Sequence, residues 1–301
     1  MAQYGEADVP DQNGKTILVT GANTGIGWDA ARVLAERGAR VLLACRNEDK
    51  ARDAIDRIKV TAPDADLAYI PLDLTSLTSV KAAADQVLEE ERLDALVNNA
   101  GVMIPPKMQT QDGFELQFGV NHLGHFALTG HLLPKLKDHP GARVINVSSG
   151  AHKSGHINYD DLHAEKSYSR MERYSMSKFA NILFMYELQR RLEKAGSPAI
   201  SVACHPGGAN TDLSRHIPGI FRILFLPLSL MMNSSAEGAL PTLMATTAAD
   251  VQGGDYFGPA GMGEFARSAK KVETVGHSRD EADAARLWDV STELTSVSYA
   301  F

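Results

Sequence analysis

Residues 15 to 27 constrain this chain more than any other stretch. Lys15-Thr16-Ile17-Leu18-Val19-Thr20 is a short, apolar, β-branched run that stops at Gly21-Ala22-Asn23-Thr24-Gly25-Ile26-Gly27. Helical spacing follows at Ala30, Ala31, Val33, Leu34 and Ala35, closed by Gly38. A strand that turns through glycines into a helix offers backbone N–H groups and positive potential to an anion. This is how a dinucleotide's pyrophosphate is held. Strand-to-helix turns also use glycine simply for φ > 0, but here three glycines, their spacing and both flanks agree. Gly21, Asn23, Thr24, Gly25, Ile26 and Gly27 are therefore candidate cofactor-binding residues.

The same alternation continues down the chain. Strands are expected at Arg40–Cys45, Leu67–Leu72, Ala95–Val97, Arg143–Val147, Ala199–Cys204 and a last short one at Asp255–Phe257. Helices are expected from Glu48 to Thr61, Ser76 to Glu90, Phe114 to Leu136, around Tyr174, from a Ser234/Glu237 capping box to Thr247, and from Asp280 to Leu294. Strands alternating with helices of this length imply one α/β domain, a doubly wound parallel sheet of Rossmann type with helices on both faces. Residues 1–13 read as a flexible tail.

Ligands of such sheets bind at the carboxyl ends of the strands. Arg46 follows the second strand, where an acidic residue would read the ribose of NAD and an arginine the 2′-phosphate of NADP. NADP (NADPH) is the expected cofactor. Asp73, Leu74 and Asn98-Asn99-Ala100-Gly101 also fall at strand ends. Asp73 is placed to meet the adenine amine and Asn99, Ala100 and Gly101 to lie against the adenosine half, but Asx-turns holding their own backbone are equally compatible. Ser148 and Ser149 close the fifth strand at the same edge. Asn121 is a poor helix former inside an apolar helical run, and either bonds a neighbouring helix or diverts a backbone carbonyl toward water. His152, His156 and His163 have no metal spacing and read as loop residues.

Tyr174 and Lys178 stand four residues apart in an uninterrupted helical pattern, which puts phenol and ammonium on one face. A fixed cation beside a phenol favours phenolate and lowers its pKa toward that of a general acid/base. Alone, the pair reads first as an exposed Tyr and a solvated Lys on an amphipathic helix, and only partners elsewhere in the chain overturn that reading.

Composition excludes several classes. The chain has 301 residues, 44% hydrophobic content and a formal net charge of −7. With no Lys/Arg block, a nucleic-acid partner is not expected. Met1 to Gly14 is polar and acidic without an apolar core, so a cytoplasmic location is expected. Cys45 and Cys204 lie inside strand-like runs and read as free buried thiols, with no metal site implied. Ile217 to Met232 is greasy but shorter than the ~20 residues of a spanning helix and broken by Pro218, Arg222 and Pro227, so no transmembrane segment is assigned.

Taken in order, Thr20-Gly21-x-x-x-Gly25-Ile26-Gly27, Asp73-Leu74, Asn98-Asn99-Ala100-Gly101, Asn121, Ser149, Tyr174-x-x-x-Lys178 and Pro206-Gly207-x-x-x-Thr211 resemble the short-chain dehydrogenase/reductase family, single-domain type, over nearly the whole chain. A narrower resemblance to its retinol-dehydrogenase-like branch rests on Thr20–Gly27, Ala44-Cys45-Arg46, Ser148-Ser149-Gly150-Ala151-His152, Asp160-Asp161-Leu162 and Ser177–Asn181. Trp28 and Thr24 depart from the pattern: the first is bulky, and the second stands where some NADP enzymes carry a basic residue.

The resemblance implies an NADP-dependent oxidoreductase acting on CH–OH donors and carbonyls. Tyr174 would be the acid/base, Lys178 would lower its pKa and hold the nicotinamide ribose, Ser149 would orient the carbonyl, and Asn121 would hold a water. Pro206, Gly207 and Thr211 would contact the cofactor. Residues 212–233 fall where the family keeps its substrate loop, and their apolar character points to a lipophilic aldehyde, ketone or alcohol; a subunit or membrane contact is the competing reading. A homo-oligomer is compatible with the resemblance. The alternatives are a catalytically silent NADP-sensing regulator and an NAD-linked alcohol dehydrogenase.

Overall fold

A computed structural model describes residues 4–207, 233–261, 264 and 268–301. Among these, eight strands form one sheet in the order β3-β2-β1-β4-β5-β6-β7-β8. They are β1 (Thr16–Thr20), β2 (Arg40–Cys45), β3 (Leu67–Pro71), β4 (Ala95–Asn98), β5 (Arg143–Val147), β6 (Ile200–Cys204), β7 (Tyr256–Pro259) and β8 (Ala269–Val272). The first seven pair in parallel. The expected last strand is therefore not the last, because β8 runs antiparallel to β7 at the edge. Its Ala-Lys-Lys-Val sequence carries charge, as outer strands do, and so lacks the apolar signal of the inner strands.

Both faces of the inner strands are buried, which explains their continuous apolar character. Ile17 and Val19 point to one layer with Val41, Leu43, Val97 and Ile145. Leu18 points to the other with Leu42, Leu96 and Val144. The first layer is covered by α1 (Gly25–Glu36), α2 (Glu48–Thr61) and α7 (Ser235–Thr247). The second is covered by α3 (Leu77–Leu88), α5 (Gly124–Leu136) and α6 (Arg170–Lys194). The expected capping box opens α7, with Ser234 accepting from Glu237 N and the Glu237 side chain accepting from Ser234 N. A final helix, α8 (Glu281–Thr295), packs on α6, and Trp288 and Tyr299 close over Phe126 and Phe184.

Two further expectations differ. The helix expected from Phe114 to Leu136 begins at Leu116 and runs without a break through the short α4 (Leu116–Phe118), a π-turn (Gly119–Leu123) and α5. Residues 4–13, expected as part of a flexible tail, are docked. Tyr4 bridges to Ala269, its hydroxyl lies 2.6 Å from Thr247 Oγ1, and Val9 is buried. These anchors are distant in sequence, so a polar N-terminal composition does not reveal them. The order reverses at β1, with β2 on one side and β4 on the other, which opens a crevice at the carboxyl ends of the strands.

Candidate active site

The turn between β1 and α1 forms one wall of that crevice. Gly21 and Gly25 adopt φ of +68° and +57°, a region where side chains are strained. A Cβ on Gly27 would lie 2.4 Å from Asn99 Nδ2 and 2.5 Å from Gly21 O, so only glycine lets the helix start this close to β4. The first-turn N–H groups have no intrahelical acceptor, and Gly25, Ile26 and Gly27 line the cleft together with Gly21, Asn23 and Thr24. This cradle fits a nicotinamide dinucleotide's pyrophosphate. Trp28 does not obstruct it: its indole N–H donates to Ala54 O on α2, and the Arg57 guanidinium covers the ring at 4.6 Å.

The opposite wall is the Asn98–Gly101 turn after β4. Thr20 Oγ1 accepts from both Asn99 N and Ala100 N at 2.9 Å, while Asn99 Nδ2 donates to Thr20 O at 2.8 Å. Asn99, Ala100 and Gly101 line the cleft, with Val102 beyond them. The Asn99 side chain thus holds the two walls together. Among the described residues, Arg46, Asp73, Leu74 and Gly207 were also expected to bind the cofactor and are not in this lining. Arg46 is exposed just past β2, and among the described residues its guanidinium pairs with no carboxylate. Asp73 Oδ1 accepts from Thr75 N and Thr75 Oγ1, and Oδ2 accepts from Gln111, so its carboxylate serves a local turn. Leu74 is buried against Gly124.

Helix α6 begins at Ser169, whose side chain accepts from Glu172 N, and carries Tyr174 and Lys178 into the cleft. Lys178 Nζ lies 6.0 Å from the centre of the Tyr174 ring and donates to Val147 O at 3.0 Å. Both side chains are buried, against the reading of an exposed, solvated pair. Their electrostatics differ from expectation as well. Burial pushes the Tyr174 phenol above its ordinary value, with the Ser149 hydroxyl pulling part of the way back. Burial likewise pushes the Lys178 ammonium down to about 8. Desolvation penalises the charged form of both groups, so the phenol lies above its ordinary value rather than below it.

The two serines divide their work. Ser148 lines the cleft but donates its hydroxyl to Lys178 O at 2.7 Å. Ser149, absent from the lining, has its hydroxyl beside Tyr174 and accepts from Ala151 N at 3.2 Å. Asn121 sits in the π-turn. Its Oδ1 accepts from Val102 N at 2.8 Å, and its Nδ2 donates to Val102 O and Ser177 Oγ. Asn121 Oδ1 and Lys178 Nζ both border Gly101, where a Cβ would lie 3.1 and 3.5 Å from them. Pro206 lines the cleft, and Gly207 beside it has a φ of +71°. Thr211 and nearly all of the expected substrate loop, 212–233, lie outside the described residues.

Buried histidines form part of the site's frame, and the sequence reading missed them. His125 Nδ1 donates to Asn121 O at 3.1 Å, which leaves Nε2 to accept from the Thr20 hydroxyl 3.0 Å away. One ring thus joins the π-turn to the glycine wall. The available signal was a polar row at Asn121, His125 and Thr129, one helical turn apart in an apolar segment. His152, read as a loop residue, is fully buried in a 3₁₀ turn (Gly150–Ser154) against Tyr256. Among the described residues no cluster could hold a metal ion, and no helix is long and apolar enough to cross a membrane. Cys45 and Cys204 are free and buried.

Known proteins are similar to this chain in sequence and fold. A short chain dehydrogenase family model matches residues 15–218. Mouse (Mus musculus) retinol dehydrogenase 14 is 41% identical, covering 98% of this chain and 90% of its own. Human (Homo sapiens) retinol dehydrogenase 12 is 42% identical over 95% and 88%. A crystal structure of an uncharacterized protein from Mycobacterium paratuberculosis superposes with a TM-score of 0.83 at 37% identity, over 100% of both chains. The NADP active-site complex of RhlG from Pseudomonas aeruginosa is similar at a TM-score of 0.65 and 26% identity, over 82% of this chain and 94% of that one. The chain belongs to the short-chain dehydrogenase/reductase family, in its retinol-dehydrogenase-like branch.

Proposed function

We propose that this oxidoreductase uses NADP(H) to interconvert a lipophilic alcohol and its aldehyde or ketone, with Tyr174 moving the proton. The observation that carries the reading is the convergence of Tyr174 and Lys178 on the cleft built by Gly21–Gly27 and Asn99–Gly101. When bound, the dinucleotide supplies or accepts the hydride. The first-turn N–H groups of α1 would hold its pyrophosphate and Lys178 would donate to the nicotinamide ribose, with Pro206 also lining the cleft. In reduction, the Tyr174 hydroxyl gives its proton to the substrate oxygen; in oxidation, the phenolate takes the proton back. Ser149 donates to the same oxygen and stabilises the developing alkoxide. Asn121, fixed in the π-turn, holds the water that renews the Lys178 proton.

The NADP preference is supported by Arg46, exposed just past β2 and without a carboxylate partner among the described residues, where a 2′-phosphate would sit, and by the NADP complex among the structural relatives. The substrate class is supported by the retinol dehydrogenases among the sequence relatives and by the apolar composition of residues 217–232. The test is NADPH consumption, with NADH beside it, over a panel of long-chain aldehydes and ketones, using wild type and Tyr174→Phe. Consumption by wild type and its loss in a Tyr174→Phe variant that still binds NADPH is the expected result. No consumption with any carbonyl would favour the silent sensor instead.

A further inference from the structure

Ser149 owes its setting to a histidine three residues on. Its carbonyl accepts twice from residue 152, from the backbone N–H at 3.0 Å and from ring Nδ1 at 2.6 Å. A carbonyl only accepts, so the ring proton is on Nδ1 and Nε2 carries the lone pair. That Nε2 is buried and has no hydrogen-bond partner among the described residues. A buried unpaired acceptor is unfavourable beside an apolar side chain of the same shape. What this imidazole provides that leucine could not is the bond to Ser149 O.

The ring cannot turn away from that bond. Tyr256 of β7 meets it edge-on, with centroids 5.3 Å apart, and its hydroxyl lies 3.4 Å from His152 Nδ1. His205 stacks on Tyr256 at 5.4 Å, and His205 Nδ1 accepts from Gly207 N at 3.2 Å. One buried tyrosine is thus flanked by two histidines, each holding the backbone of a loop at the cleft. The 3₁₀ turn itself is seated hard on α6: a Cβ on Gly155 would lie 2.4 Å from Ser175 O, next to Tyr174.

We propose that His152, wedged by Tyr256, is a positioning residue that fixes the Ser149 peptide so that the Ser149 hydroxyl stays aimed at the substrate oxygen beside Tyr174. The proposal rests on the role of Ser149 given above. Small misplacement of a reacting group costs on the order of 10²-fold in rate, so His152→Leu should lower kcat by about 10- to 100-fold with the Kd for NADPH unchanged. His152→Asn, whose amide N–H sits near the place of Nδ1, should recover most of the loss. His152→Gln, whose amide reaches toward the place of Nε2, should not.

The experiment measures kcat and NADPH affinity for these three variants, for Ser149→Ala and for the Ser149→Ala/His152→Leu double variant, with thermal unfolding of each. Because His152 acts through Ser149, the double variant should be no slower than Ser149→Ala alone. Should leucine disturb folding, the Asn and Gln variants carry the same comparison. Wild-type turnover in His152→Leu, equal losses in Asn and Gln, or multiplied losses in the double variant would overturn the proposal while leaving Ser149's role standing. Wild-type turnover in Ser149→Ala would remove both.

Discussion

The buried histidines make the fold acid-labile in a window that can be worked out. Burial holds His122 down to about 3 and His125 and His152 down to about 4, from an ordinary value of 6.5. Each binds its proton more weakly folded than unfolded, so its contribution is fully present above pH 6.5 and is lost as pH falls toward the folded value. Between pH 7 and pH 5 the loss is about 2 kcal/mol per histidine, or roughly 5 to 6 kcal/mol for three. Asp29 and Glu115, pushed up by burial, oppose part of it because they gain protons in the folded state first. Against a typical stability of ~5–15 kcal/mol this is a large fraction.

The measurement is urea unfolding at pH 7, 6 and 5. A fall in midpoint concentrated below pH 6.5 is expected. His122 lies against Phe118 and Phe126, with Nε2 2.8 Å from Ser291 Oγ and no hydrogen-bond partner for Nδ1 among the described residues. His122→Phe should therefore remove about one third of the pH slope, whatever it does to stability at pH 7. A flat stability from pH 7 to 5, or an unchanged slope in His122→Phe, would refute the reasoning.

Other outcomes follow from the cleft. Lys178, held down to about 8, loses its charge as pH rises through that value, so NADPH affinity should weaken above about pH 8, and Lys178→Arg should flatten this limb in a fluorescence titration. Gly27→Ala drives a methyl into Asn99 Nδ2 and Gly21 O. An overpacking cost of about 1–3 kcal/mol and loss of cofactor binding are expected by thermal unfolding and titration, and a variant that binds normally would contradict the cradle. Arg46→Asp should weaken NADPH binding at least tenfold and leave NADH binding level or better, read as the ratio of the two Kd values.

The sheet was legible because buried parallel strands must be apolar on both faces, so β1, β2, β5 and β6 read as continuous runs bounded by turn residues. The glycine cradle was legible for a related reason: side chains rarely adopt a φ like Gly21's, and a Cβ on Gly27 would collide with Asn99. What failed was whatever depends on a distant partner. Gly119, Gly124 and Gly130 read as interruptions of a helix. They are instead points of close approach, where a Cβ would lie 2.4 Å from Thr110, 3.0 Å from Leu74 and 2.6 Å from Val297 respectively.

The polar residues of the frame show the same limit more sharply. A histidine that titrates in a loop and one locked neutral inside a core are the same letter, and burial alone separates them. His125 and His152 take their meaning from Thr20 and Tyr256, each more than 100 positions away. The pKa of Tyr174 follows suit: the four-residue spacing to Lys178 was right, but desolvation by burial dominates both groups. A motif therefore names the reacting atoms, while the protonation state in which they wait is decided by residues that no local pattern links to them.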